Sequence, residues 1–172
     1  MSFLKRLFGS RTDDLSPYRP LWHRIVALAR DPRWYADAGV EDSVPGRFDA
    51  VTLVLVAVML RMEREPALIE ASVRLTELFV SDMDGQLRQS GVGDLVVGKR
   101  MGKLMGVLGG RLGAYREGLA KADDTALTAA VGRNVTLLAG AKPDAVAAML
   151  RHFAGNLAAC DSAALLAGEI EL

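Results

Sequence analysis

Residues 50–60 read AVTLVLVAVML, with Asp49 immediately before them and Arg61 immediately after. An apolar run of this length is too short to cross a bilayer, which takes roughly 20 residues. It suits a helix that is covered on every side inside a folded domain. The valines would also suit a strand, but the pattern extends over residues 48–65, far beyond the roughly 5 or 6 residues of an ordinary strand. The run is therefore read as a central core helix, around which the rest of the chain has to pack.

Working outward, the flanking segments show helical spacing with turn signals between them. Towards the N-terminus, residues 39–46 contain Pro45 and two glycines and read as a loop. Before it, Pro20 opens a helix with Trp22, Ile25, Val26 and Ala29 on one side, and Asp31-Pro32 closes it. Residues 1–16 read as a flexible, amphipathic to polar N-terminal segment preceding a domain of 17–172. Towards the C-terminus, Pro66 starts a helix whose Leu68, Leu75, Phe79, Met83 and Leu87 form one stripe, ending near Ser90-Gly91. Asp94 suits an N-cap, and Val97, Met101, Met105, Leu108, Leu112, Tyr115 and Leu119 then recur by fours and threes. Asp123 or Asp124 caps a further helix carrying Leu127, Val131, Val135 and Leu138 as far as Gly140. Pro143 opens another with Val146, Met149, Leu150, Phe153 and Leu157. No strand pair or repeat emerges. The expected fold class is all-α, a single-domain helical bundle of about six or seven helices.

Bulk properties narrow the function classes. A chain of 172 residues is long enough for one core, and 21 basic residues balance 21 acidic ones, so no net field draws DNA. The one cysteine, Cys160, excludes an intrachain disulfide. Lys5 and Arg6 interrupt Phe3, Leu4, Leu7 and Phe8, which is not a signal peptide; such a turn suits weak contact with a membrane surface. The chain is expected to stay in the compartment where it is made.

Little reactive chemistry is legible. Residues 93–99 read GDLVVGK, but Arg100 stands where a phosphate-binding loop needs Ser or Thr, and no strand precedes it. Asp82 and Asp84 point about 200° apart on a helix, so they do not share an ion; Asp84 instead faces Arg88 one turn on. His23 and His152 have no second ligand at metal spacing, and Ser81 and Ser90 lack a base. No catalytic residue, metal ligand or cofactor site is assigned. The helix after Asp94 carries Gly98, Gly102, Gly106, Gly109, Gly110 and Gly113. At about 1 kcal/mol each against alanine this is expensive. Close approach of a neighbouring helix is the expected compensation, and a partner's backbone lying in the strip is the alternative. Lys99, Arg100, Lys103 and Arg111 fall largely off the apolar seam and give one basic side suited to an acidic partner. Core packing is expected for Met101 and Met105.

The stretch 79–119, which includes SDMDGQLRQSGVGDLVVGKRMGKLMGVLGGRLGAYREGL, resembles the signature region of the ubiquinol cytochrome c chaperone family. The resemblance rests on Asp82-Met83-Asp84, Leu87-Arg88, the run from Gly91 to Asp94, Lys99 with Met101, Gly110-Arg111 and Ala114-Tyr115. The helix before it is similar too, whereas Gly102, Gly106 and Gly109 depart from the bulkier family pattern. The resemblance implies a non-catalytic assembly factor that receives newly made cytochrome b and supports assembly of respiratory complex III. It implies as further partners a second assembly factor and a ribosome or membrane surface. It also implies a cytoplasmic place for a bacterial member, at the inner face of the membrane, or the matrix side in a eukaryote. The residues expected at the partner contact are Asp82, Asp84, Arg88, Gly91, Asp94, Lys99, Lys103, Arg111 and Tyr115. Two alternatives stay open: a small helical enzyme with a site assembled from Asp82, Asp94, Arg111 and Tyr115, and a structural adaptor that remains in the complex.

Overall fold

A computed structural model describes residues 14–89 and 94–172, the side chains of 87–89 and 94–101 excepted. Its helices are α1 (Arg19–Ala29), α2 (Val44–Met62), α3 (Ile69–Gln89), α4 (Asp94–Ala120), α5 (Thr125–Asn134), α6 (Asp144–Ala159) and α7 (Ser162–Ala167). The architecture is the expected all-α, single-domain bundle, with seven helices among the described residues. The apolar run forms its axis: α2 packs against α1, α4 and α6 and touches α3, so Val54, Leu55, Val56 and Val58 have no exposed surface at all. Helix α2 starts four residues earlier than the pattern alone suggests. Ser43 is extended and its Oγ accepts the Gly46 N–H at 3.3 Å, while Pro45 occupies the first turn, where its missing N–H costs nothing.

The remaining core is contributed one face at a time, by Trp22 and Ile25 from α1, Leu75 and Phe79 from α3, Leu108 and Tyr115 from α4, Leu127 and Val131 from α5, and Leu150 and Phe153 from α6. Arginines add donors to the carbonyls at helix ends, where the regular helical bonds run out. The Arg61 guanidinium donates to the carbonyls of Leu157 and Cys160, both at 3.0 Å, at the end of α6. Arg151 reaches the carbonyls of Gly118 and Leu119 at the end of α4. Asp123, rather than Asp124, accepts the Thr125 N–H at the start of α5.

Three expectations are corrected, and one feature is added. Helix α5 ends at Asn134, not Gly140: Val135 is extended and residues 136–138 pair with the loop before α2, Glu41 N–H to Thr136 O and Leu138 N–H to Gly39 O, each 2.9 Å. The β-branched pair Val135-Thr136 favours that extended form, and Gly39 turns the opposing chain with φ +79°. Leu138 is consequently half-exposed instead of lining the core. After α1, residues Arg33–Asp37 form a π-helical turn that buries Trp34 completely, its indole N–H donating to Leu28 O at 3.0 Å. The glycine strip of α4 receives no neighbouring helix: a methyl group built on Gly102, Gly106, Gly109, Gly110 or Gly113 would meet nothing within 4 Å. Met105 on the same helix is 41% exposed. Among the described glycines of α4, close approach occurs at Gly118, where a methyl would stand 2.7 Å from Leu127 Cα.

Candidate functional site

Helices α1, α2, α3 and α4, with the Arg33–Asp37 turn, surround an open groove of about 1200 Å³. Its walls are mainly apolar, with Tyr35 from the turn, Phe48 and Val51 from α2, Met83 from α3, and Leu104 and Val107 from α4. Each of these side chains belongs to an element held by core residues on its other face, so the groove is built on rigid supports. Charges sit among the apolar groups: Arg30, Arg47 paired with Asp42 at 2.6 Å, Asp82 and Lys103. Tyr35 is half-buried and its hydroxyl donates to Ala29 O at 2.8 Å; burial, then the Asp42 carboxylate, push its phenol up, so it remains a neutral donor. Val44, 84% exposed, also lines the groove.

Behind the Phe48 wall lies a buried polar cluster. Arg111 of α4 donates to Asp49 Oδ1 at 2.5 Å and to Thr52 Oγ1, and its guanidinium carbon stands 5.3 Å from the Phe48 ring centroid. The second carboxylate oxygen of Asp49 accepts the Thr136 N–H at 2.8 Å and the Thr136 hydroxyl at 2.7 Å. One ion pair thus ties α2, α4 and the extended segment after α5. Both side chains are 8% exposed, a depth at which charge is tolerated only because it is paired and hydrogen-bonded. Tyr115, one turn along α4 from Arg111, is fully buried, and burial pushes its phenol well above the usual range.

Of the residues expected at a partner contact, the fold brings Asp82 and Lys103 together at the groove. Asp84, two positions from Asp82, does not line it. Arg111 and Tyr115 are interior, so Arg111 does not belong to the basic side of α4; Asp49 draws it inward. Neither lines the groove with Asp82, and the shared pocket that a small enzyme would need is not formed by these three. Gly91 and the side chains of Arg88, Asp94 and Lys99 lie outside the described residues, as do residues 1–13 with their amphipathic turn. Sequence reasoning passed over Asp49 and Thr52. Their signal was present, an acid and a hydroxyl three apart at one end of an all-apolar helix, which burial obliges to find partners.

The class these features define is an all-α protein whose site is an open apolar groove, and no described helix is long and apolar enough to cross a membrane. The chain belongs to the ubiquinol-cytochrome C chaperone family, which it matches over residues 36–172. It is also similar to the crystal structure of the Cbp3 homolog from Brucella abortus, at 33% sequence identity and a TM-score of 0.79, over 98% of this chain and 95% of that one. No curated protein matches the sequence.

Proposed function

We propose that this chain is a non-catalytic chaperone that receives newly made cytochrome b and holds an apolar segment of it in the α1–α4 groove during assembly of ubiquinol cytochrome c reductase. The observation that carries the reading is the groove itself. At about 1200 Å³ it exceeds the roughly 300–1,000 Å³ of small-molecule pockets, and it is open and walled by apolar side chains. Such a trough suits several side chains of a polypeptide better than one metabolite. Asp82 and Lys103 contact the client at the groove, and the contact continues over Asp84, Arg88, Asp94 and Lys99 of the same two helices, with Gly91 included from the sequence expectation. Arg111 and Tyr115 act from behind, the first by holding the Phe48 ring in place. The work is done in the cytoplasm at the inner face of the membrane, where a second assembly factor and the ribosome are the further partners.

The test is co-purification of cytochrome b with tagged chain. Val44→Asp and Val107→Glu each place a charge in the groove and should cut the recovered cytochrome b about tenfold, the worth of one buried apolar side chain. Undiminished recovery in both folded variants would remove the groove from the function. Stoichiometric presence of the chain in the finished complex would replace the chaperone with a structural adaptor.

A further inference from the structure

Arg19 and His23 of α1 and Arg30, the residue that caps its C-terminus, follow one another at spacings of four and seven. At 100° per residue they fall within about 40° of one line along the helix. All three are exposed, and with Trp22, Ser81 and Asp82 they line a cleft of about 600 Å³ between α1 and α3. Cleft and groove share Val26, Arg30, Asp82 and Gln86, so they form one continuous trough, apolar at one side and basic at the other.

These cations have little internal work, Arg30 only weakly opposing the rise of the Tyr35 phenol. Arg24 is occupied by Ile170 O at 2.7 Å and Arg33 by Asp31 at 2.9 Å, whereas Arg19, His23 and Arg30 make no hydrogen bond or ion pair with a described residue. Arg19 only helps, after the Ser16 hydrogen bonds, to hold the Asp14 carboxyl below its usual range. With Arg47 already paired to Asp42, the trough presents Arg19, Arg30 and Lys103 against Asp82.

We propose that the trough takes an apolar helical segment of the client that carries carboxylates along one side, laid beside α1 so that its acids meet Arg19 and Arg30 while its apolar side chains enter over Val51, Leu104 and Val107. This rests on the groove being the client site and specifies the chemistry it selects. The spacing decides for a peptide over an anionic lipid. Arg19 and Arg30 are eleven residues apart, about 16 Å along the helix at 1.5 Å per residue, more than one headgroup bridges and three turns of a partner helix. The apolar wall supplies affinity, and the exposed ion pairs, each modest, set orientation and selectivity.

The test uses the full chain and two synthetic helical peptides of about 16 residues with the same apolar face, one bearing Glu at two positions eleven apart and the other Lys, read by fluorescence anisotropy. The Glu peptide is expected to bind at least about fivefold tighter at low salt, with the gap closing near about 0.5 M salt. The double variant Arg19→Glu/Arg30→Glu, with folding checked by circular dichroism, should reverse the order. Equal affinities, or an unchanged order in the variant, would overturn the proposal, as would displacement of the peptide by vesicles of anionic phospholipid. Should the charge preference be absent while Val44→Asp still cuts cytochrome b capture about tenfold, this proposal alone falls. Capture that survives Val44→Asp and Val107→Glu removes the groove reading beneath it.

Discussion

Arg111 and Asp49 show how a single side chain can look like a surface contact and serve as an internal brace. The pair is nearly dry, and removing one partner strands a charge. Arg111→Met is therefore expected to cost about 3–5 kcal/mol in a urea melt, and Asp49→Ala a similar amount. The double variant should lose clearly less than the two losses added together, because the second change removes the stranded charge left by the first. Additive losses would show that the pair is not coupled. Tyr115 has no such pairing: like the Arg111 Nε, its hydroxyl is buried without a hydrogen-bond partner among the described residues. Tyr115→Phe should leave stability at neutral pH unchanged or raise it by up to about 1 kcal/mol. The same burial raises the folded-state phenol pKa above that of the unfolded chain, which is about 10. The folded protein then keeps a proton that the unfolded chain has lost, so stability falls as pH rises above about 10. An alkaline denaturation series should be shallower for Tyr115→Phe than for the parent, and identical slopes would contradict the burial argument.

At the scale of the element, α4 is two helices in one. Its second half packs through Leu108, Tyr115 and Gly118, whereas Gly102, Gly106 and Gly109 face open space and gain nothing from lacking a side chain within this fold. Gly106→Ala and Gly109→Ala should each stabilise by about 1 kcal/mol, raising the melting temperature by ~2–4 °C in differential scanning calorimetry. Gly118→Ala should act in the opposite direction, because its methyl would overlap the Leu127 backbone, which cannot move aside as a flexible side-chain end can. The spacing of glycines was legible in the sequence, but not which of them a neighbour approaches. Helix α5 makes a related point: its apolar stripe continues through Val135 and Leu138, and the backbone stops at Asn134 because residues 136–138 pair with the loop before α2. Periodicity reports a possible face, and a competing backbone partner elsewhere in the chain can end the helix that carries it.

For the whole molecule, the expected behaviour is transient holding. Cytochrome b recovered with tagged chain should fall several-fold when translation is arrested before lysis, and the chain should be missing from the finished complex. Recovery indifferent to translation would argue for a lasting subunit. The sequence by itself determined the helical class, the central place of α2 and the family resemblance, because an uncharged run of that length has few soluble solutions and helical spacing is a local property. Only the tertiary structure decided that Arg111 turns inward to Asp49, that the described glycines of the strip stay bare, and that Asp82 and Lys103 line one apolar trough. Those outcomes depend on which elements come side by side, and contacts between residues on different elements leave no periodic trace along the chain.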